Sequence, residues 1–271
     1  MLRCRELQRT LCEGRMQMAR LSGRVAIVTG GARGIGRHYS EALAAAGARV
    51  MVADIADGRD LADSLNAHLS SDCAASMAFD VSDEDSVRDL VATTLDRFGQ
   101  IDILVNNAAL YSTLPPVKIT EIDTALWDKV MAVNVRGPFL MVKHVAPHMI
   151  ACKSGKIINI ASGTAYKGLP NFSHYVTSKG AIVAFTRALS RELGPHNIGV
   201  NTLAPGLILS DTGIENTAHI DEARDKVLQS RAFKRDGYPP DLTGALVFLA
   251  SSESDFMTGQ TLAVDGGSIN T

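Results

Sequence analysis

Three side chains in the second half of the chain have the types and spacing needed to move a proton to or from an alcohol oxygen. Tyr175 and Lys179 stand four residues apart in Y-V-T-S-K, and Ser162 precedes the tyrosine by thirteen residues. A tyrosine with its ordinary pKa of about 10 transfers protons poorly at neutral pH. A lysine one helical turn away lies on the same helix face, and we expect its charge to lower the pKa of the tyrosine. The serine hydroxyl would then hydrogen-bond the oxygen of an alcohol or a ketone.

A glycine-rich loop near the start of the chain has the pattern of a dinucleotide site. Val25–Val28 is a short, β-branched run, typical of a strand buried on both faces of a parallel sheet. Gly30, Gly34 and Gly36 follow it, and a helical pattern begins at Ile35. Glycines let the backbone turn tightly and approach a pyrophosphate, which then contacts the N–H groups of a helix N-terminus. The spacing is G-x-x-x-G-x-G, and its place between strand and helix favours cofactor binding over a simple turn.

The second predicted strand, 48–53, is followed by Asp54, which bears on the choice of cofactor. A carboxylate at this position accepts hydrogen bonds from the adenosine ribose and repels a 2′-phosphate. Asp54 therefore predicts NAD. Arg33 in the glycine loop favours the opposite choice, because a guanidinium binds phosphate, but we interpret it as a contact to the pyrophosphate region or to solvent.

The elements that must position these residues alternate between strands and helices. This pattern predicts an α/β fold: a Rossmann-type, doubly wound sheet of about seven mainly parallel strands with helices on both faces. Strands are predicted at 24–29, 48–53, 74–80, 101–106, 155–161, 197–203 and 260–264. Helices are predicted at 35–46, 57–70, 83–98, 123–150, 174–193 and 239–251. No linker rich in Pro, Gly or Ser divides the chain, so residues 21–271 are predicted to form a single domain.

Several motifs occur in an order that resembles the short-chain dehydrogenase/reductase family, in its compact single-domain branch. They are T-G-G-A-R-G-I-G at Thr29–Gly36, Asp80–Val81, N-N-A-A at Asn106–Ala109, Asn134 in V-N-V, Ser162, Tyr175–Lys179 and Pro205–Gly206. The resemblance implies that Asn134, Ser162, Tyr175 and Lys179 form a catalytic tetrad. Tyr175 would be the acid/base and Ser162 would orient the substrate oxygen. Lys179 would hold the nicotinamide ribose, and Asn134 would steady a water linking the lysine to solvent.

The resemblance also implies a set of cofactor-binding residues. Besides Tyr175 and Lys179 they are Gly30, Arg33, Gly34, Ile35, Gly36, Asp54, Asp80, Val81, Asn107, Ala108, Pro205, Gly206, Ile208 and Ser210. Two positions depart from the family pattern. Ala109 replaces the usual glycine of N-N-A-G, and Ser210 replaces a threonine but keeps its hydroxyl.

Substrate contacts are expected from Ser162, Tyr166, Tyr175 and Leu207, with further apolar side chains at Tyr111, Leu114 and Phe172. This set offers no obvious Arg or Lys for a carboxylate or phosphate. It therefore predicts NAD-dependent hydride transfer between the nicotinamide and a neutral or aromatic secondary alcohol or its ketone. Two alternatives stay open: a 3-oxoacyl thioester reductase that uses NADP, and a non-catalytic dinucleotide-binding sensor. The intact Ser–Tyr–Lys set argues against the sensor.

Two segments fall outside the alternating pattern. Residues 1–20 contain four arginines before Met16 and no secretory h-region, and we expect a poorly ordered extension. Residues 207–237 are polar, with a short helix predicted near 221–231. Because this segment follows the sixth strand, at the sheet edge where such folds bind ligands, we expect it to act as a lid.

Composition argues against several classes of partner. Lys+Arg 27 against Asp+Glu 29 gives no basic field for nucleic acid, and no apolar run approaches the ~18 residues of a membrane span. Four cysteines without C-x-x-C pairing fit a reducing, cytoplasmic compartment. His144 and His148 have a metal-like spacing but no H-E-x-x-H, so no metal is predicted. The family resemblance implies a homodimer or homotetramer that pairs the helices 123–150 and 174–193.

Overall fold

A computed structural model describes residues 20–210 and 217–270 of the chain. The strands are β1 Val25–Thr29, β2 Arg49–Asp54, β3 Ala74–Ala78, β4 Ile103–Asn106, β5 Gly155–Ile160, β6 Ile198–Pro205 and β7 Thr261–Val264. The α-helices are α1 Gly34–Ala45, α2 Arg59–His68, α3 Glu84–Phe98, α4 Thr124–Met131, α5 Gly137–Cys152, α6 Thr164–Lys167, α7 Ser173–Leu193, α8 Thr217–Ser230 and α9 Pro240–Ala250.

The seven strands form one parallel sheet in the order β3-β2-β1-β4-β5-β6-β7. The chain runs outward from β1 to β3 and then returns to add β4 on the other side of β1. In open α/β sheets this switch point leaves a crevice beyond the carboxyl ends of the strands, and ligands bind there. The predicted doubly wound fold is confirmed by this topology.

The core lies on both faces of the sheet because every strand residue faces one side or the other. In β1, Ala26 and Val28 pack in a cluster with side chains of α1 and α9. The alternate residues Val25 and Ile27 pack in a second cluster with α3 and α5. All five β1 residues are buried, as the unalternating β-branched run predicts.

The helix predicted over 123–150 differs from the observed one in its middle. Between α4 and α5 the chain forms a π-helical turn, Ala132–Arg136, which the sequence pattern did not indicate. Such turns accommodate an extra residue and often occur at functional sites. Here the turn contains Asn134, whose side chain is buried.

The two unusual segments are only partly covered by the described residues. The predicted extension lies, except for Arg20, outside them, as do residues 211–216 of the predicted lid. The lid helix is longer than expected and spans Thr217–Ser230 instead of about 221–231. Within the described ranges, no helix is long and apolar enough to cross a membrane.

Candidate active site

Tyr175 and Lys179 lie in the first two turns of α7, on one face of the helix. Both side chains are buried. The Lys179 ammonium nitrogen is 5.7 Å from the centre of the Tyr175 ring. It donates a hydrogen bond of 2.8 Å to the carbonyl oxygen of Ile160, the last residue of β5. The pair is thereby fixed at the carboxyl edge of the sheet.

Ser162 approaches Tyr175 from the loop that follows β5. Its Oγ accepts hydrogen bonds from the backbone N–H of Thr164 at 3.2 Å and from the Thr164 hydroxyl at 3.0 Å. A hydrogen bond between Ser162 and Tyr175 acts on the pKa of the tyrosine. The structure therefore brings Ser162, Tyr175 and Lys179 together from two different elements.

Asn134 connects the π-helical turn to two other parts of the site. Its Oδ1 accepts a hydrogen bond of 2.7 Å from the N–H of Leu110, and its Nδ2 donates to the Leu110 carbonyl at 3.2 Å. The same Nδ2 donates to Ser178 Oγ at 3.1 Å, and Ser178 donates to the carbonyl of Tyr175. Asn134 thus joins the loop after β4 to the helix that carries the tyrosine, and its link to Lys179 through water stays a prediction.

Burial has the largest effect on the pKa values of Tyr175 and Lys179. Desolvation raises the pKa of Tyr175 well above its ordinary value, the nearby Tyr111 raises it further, and the bond with Ser162 lowers it. Desolvation also lowers the pKa of Lys179 from 10.5 to about 8. The pKa of Tyr175 is therefore raised, where the sequence predicted a lowered value, because each desolvated group favours its neutral form.

The glycine loop has a shape that only glycine allows at two positions. Gly30 has a φ of +62°. A Cβ on Gly36 would lie 1.8 Å from the carbonyl oxygen of Gly30. The N-cap residue of α1, Arg33, makes no side-chain capping hydrogen bond among the described residues, and the helix begins at Gly34 with the half-buried Ile35 in its first turn. The loop and the uncapped N–H groups together fit a pyrophosphate.

Asn107 and Ala108 hold the glycine loop against the end of β4. The Asn107 side-chain amide donates to the carbonyls of Thr29 and Gly30, each at 3.0 Å. In return, the Thr29 hydroxyl accepts the N–H groups of Asn107 and Ala108. These bonds stabilise the crevice at the switch point between β1 and β4.

Asp54 fixes the other side of the loop. The side chain is buried, and its two carboxylate oxygens accept the N–H groups of Ala32 and Ala56, each at 3.0 Å. A carboxylate therefore stands at the end of β2, beside the glycine loop. Arg33 is exposed to solvent.

Asp80 and Val81 follow β3 at the same edge of the sheet. The exposed Asp80 carboxylate accepts the N–H and the hydroxyl of Ser82. Val81 is buried against Gly137, where a Cβ would come within 2.8 Å of the valine side chain. The contact of both residues with a cofactor stays a prediction.

The segment after β6 continues over the same edge. Gly206 follows Pro205, the last residue of β6, while Ile208 and Ser210 are buried. Ile208 forms an isolated parallel bridge with Gly237, at the far end of the predicted lid. The structure therefore ties the two ends of that segment together.

Two residues near the site were not identified from the sequence, and a third, Tyr166, has a hydrogen-bond partner within the protein. Arg231, missed because it lies in a generally polar segment, is buried and donates to the carbonyls of Leu207 and Arg235. His174 is fully buried, and neither ring nitrogen has a hydrogen-bond partner among the described residues. The Tyr166 hydroxyl donates to Thr261 at the start of β7. The contact of Tyr166 with substrate stays a prediction.

Comparisons with known proteins identify the family of this chain. A family model described as enoyl-(acyl carrier protein) reductase matches residues 30–268. The chain belongs to the short-chain dehydrogenase/reductase family. Members of this family are oxidoreductases that bind a nicotinamide dinucleotide and act on alcohol or keto groups.

Similar proteins cover nearly the whole chain. It is 40% identical over 258 residues to the sorbitol dehydrogenase of Cereibacter sphaeroides, covering 92% of this chain and 98% of that protein. It is 34% identical over 244 residues to a 3-oxoacyl-acyl-carrier-protein reductase of Staphylococcus epidermidis, covering 89% of this chain and 97% of that protein. A crystal structure from Sinorhizobium meliloti, described as a short-chain alcohol dehydrogenase, aligns with a TM-score of 0.86 at 32% identity, covering 93% and 98%.

Proposed function

We propose that this protein is an NAD-dependent oxidoreductase that moves a hydride between the nicotinamide and a neutral secondary alcohol or its ketone. The observation that carries the proposal is the convergence of Ser162, Tyr175 and Lys179 at the carboxyl edge of the sheet. Bound NAD supplies the hydride acceptor for alcohol oxidation, and NADH the donor for ketone reduction. In oxidation Tyr175 takes the hydroxyl proton of the substrate, and in reduction it returns a proton to the substrate oxygen.

The hydrogen bonds of Ser162 suit it to bind the substrate oxygen. Thr164 donates twice to Ser162 Oγ, so the serine donates its own O–H in the bond with Tyr175 and can turn that O–H to a substrate oxygen when one binds. A substrate oxygen between Ser162 and Tyr175 would receive that hydrogen bond, which polarises a carbonyl towards hydride addition. The contact between the serine and the tyrosine supports this proposal, because both hydroxyls would be within reach of one oxygen atom.

Lys179 would bind the ribose next to the nicotinamide. Its ammonium group has three donors, and one is used by the Ile160 carbonyl. The remaining donors suit ribose hydroxyls. Because Lys179 and Tyr175 lie on one helix face, a cofactor held by the lysine would have its reactive ring near the phenol.

The preference for NAD rests on Asp54. A 2′-phosphate beside this buried carboxylate would meet like charge at short range, which costs a few kcal/mol and hence about 10²-fold or more in affinity. Measured dissociation constants should therefore favour NAD over NADP. Asp54→Asn, which keeps the size and removes the charge, should lose most of this discrimination. Tighter binding of NADP to the unmodified protein would show that the exposed Arg33 outweighs Asp54.

Turnover tests the reaction itself. We expect NAD-dependent oxidation of at least one member of a panel of neutral secondary alcohols, sorbitol included because of the similarity to a sorbitol dehydrogenase. The similarity to a 3-oxoacyl-acyl-carrier-protein reductase favours a second candidate, reduction of a 3-oxoacyl thioester with NADPH. Faster reduction of an acetoacetyl thioester than of any ketone would establish that candidate instead. Dinucleotide binding without turnover of either class would indicate a sensor.

A further inference from the structure

Tyr111, in the loop after β4, lies directly over the catalytic tyrosine. The centres of the Tyr111 and Tyr175 rings are 4.6 Å apart and their planes are tilted by 35°. The Phe172 ring is 6.3 Å from Tyr111 on another side. Tyr175 is only 7% exposed, whereas Tyr111 is 37% exposed. Tyr111 therefore covers part of Tyr175 and itself faces solvent.

Polar contacts hold the backbone of Leu110, the residue before Tyr111. Asn134 binds both the N–H and the carbonyl of Leu110. Through Ser178, the same asparagine is connected to the backbone of Tyr175. The loop that carries Tyr111 and the helix that carries Tyr175 are thus held in register by one side chain.

The surroundings of the Tyr175 ring are apolar. Tyr175 packs in a cluster with Leu114 and Val130, and the partly buried Leu110, Leu126 and Phe172 lie against it. The groups that bear on the acidity of Tyr175 are Ser162 and Tyr111, and the ammonium of Lys179 lies 5.7 Å from its ring. A substrate that brings its oxygen to Tyr175 therefore meets polar groups at the oxygen and an apolar wall beside it.

We propose that Tyr111 is a specificity-determining residue: its ring forms the wall against which the group next to the reacting carbon packs. The site then selects alcohols and ketones that carry an apolar or aromatic group on that carbon. This proposal rests on the alcohol dehydrogenase function proposed above. An aromatic contact contributes about 0.5–1.5 kcal/mol beyond burial, which corresponds to about 2- to 13-fold in kcat/KM.

Substrate discrimination is the first test. The values of kcat/KM for 1-phenylethanol and for 2-propanol are measured with saturating NAD, and their ratio is calculated. The measurement is made on the unmodified enzyme and on the Tyr111→Phe and Tyr111→Ala variants. Tyr111→Phe keeps the ring and should keep the ratio, whereas Tyr111→Ala should lower it by about 3- to 10-fold. An unchanged ratio in Tyr111→Ala would overturn the proposal, even if all three proteins oxidise both alcohols.

A second test needs no substrate and separates this inference from the proposed function. The chain has five tyrosines, so ionisation of Tyr175 is read as the difference in ultraviolet absorbance between each protein and the same protein carrying Tyr175→Phe. Removal of the covering ring lets water reach the phenolate, so at the highest pH at which both proteins stay folded a larger fraction of Tyr175 should be ionised in Tyr111→Ala than in the unmodified protein. The Tyr111→Phe variant should change the ionisation of Tyr175 less than Tyr111→Ala does. Equal ionisation in the unmodified protein and Tyr111→Ala would show that Tyr111 does not cover the tyrosine, whatever the enzyme turns over.

Discussion

Tyr175 and Lys179 are two ionisable side chains whose shared environment favours the neutral form of each. Burial raises the pKa of the phenol and lowers the pKa of the ammonium to about 8. A base for alcohol oxidation, however, must lose its proton near the working pH. A positively charged nicotinamide ring beside the phenol would favour the phenolate. We therefore expect the bound cofactor, and not Lys179 alone, to make Tyr175 a base.

This argument predicts that NAD binding is coupled to the proton on Tyr175. If NAD lowers the pKa of Tyr175, the affinity of the protein for NAD rises with pH by up to about tenfold per pH unit. The rise begins above the pKa of Tyr175 in the complex and levels off at the higher pKa of Tyr175 in the free protein. NADH, whose ring is uncharged, should show a weaker dependence. Titration calorimetry from about pH 7 to about pH 10 measures the affinities for NAD and for NADH.

Tyr175→Phe is the control for that experiment, because it retains Lys179, which titrates in the same range. The difference between NAD and NADH should largely disappear in the variant. The same difference in the variant and the unmodified protein would assign the pH dependence to another group.

Among the secondary-structure elements, the segment after β6 is held in place by Arg231, a residue of the predicted lid. Arg231, next after α8, donates to the Leu207 carbonyl, and its side chain passes beside three glycines. A Cβ on Gly206, Gly237 or Gly266 would lie 3.2–3.6 Å from Arg231 atoms. We propose that Arg231 joins α8 to the loop 205–210, so that closure of the lid and positioning of the nicotinamide are linked.

Hydrogen exchange tests the lid. Peptides from 207–210 and 217–237 should exchange more slowly when NAD is bound, because closure over the cofactor excludes water. Peptides from α9 should not change. In Arg231→Met, which keeps a long side chain but has no donors, the slowing at 207–210 should be reduced. Equal exchange with and without NAD in the unmodified protein would leave 207–237 as an insertion without a lid function.

The elements also show why some features follow from the sequence and others do not. Buried β-branched runs such as Val25–Val28 define strands well, since few other structures suit them, and each strand was predicted within about two residues. The π-helical turn around Asn134 has no such pattern, because it depends on contacts with the distant Leu110 and Ser178. The acidity of Tyr175 was predicted in the wrong direction because spacing shows a nearby charge but not the loss of water around it.

At the level of the whole molecule, exposed apolar side chains point to assembly. Phe256, just before β7, is fully exposed, and Phe139 on α5 is 47% exposed. Members of the family commonly form oligomers, and we propose a symmetric dimer or tetramer that pairs α4–α5 and α7 between subunits, with the segment around β7 as a second contact. Burial of Phe256 in that second contact would explain an aromatic ring that is otherwise surrounded by water.

Light scattering gives the test of assembly. The unmodified protein should have the mass of a dimer or a tetramer at micromolar concentration. Phe256→Asp should reduce the mass if the ring lies in an interface, because a charge buried there without a partner is costly. Leu69→Asp, at the end of α2, replaces another exposed apolar residue and serves as the control. A monomeric mass for the unmodified protein would refute the proposal.

The catalytic role of Tyr175 is tested most directly by removal of its hydroxyl. Tyr175→Phe keeps the ring that packs with Leu114 and Val130 but removes the proton-transfer group. With the best alcohol found, kcat should fall by about 10²–10⁴-fold, while NAD still binds. Tyr39→Phe is a matched control, since Tyr39 is also buried and its hydroxyl has no partner among the described residues; it should keep normal turnover. Near-normal turnover by Tyr175→Phe would contradict the proposed mechanism.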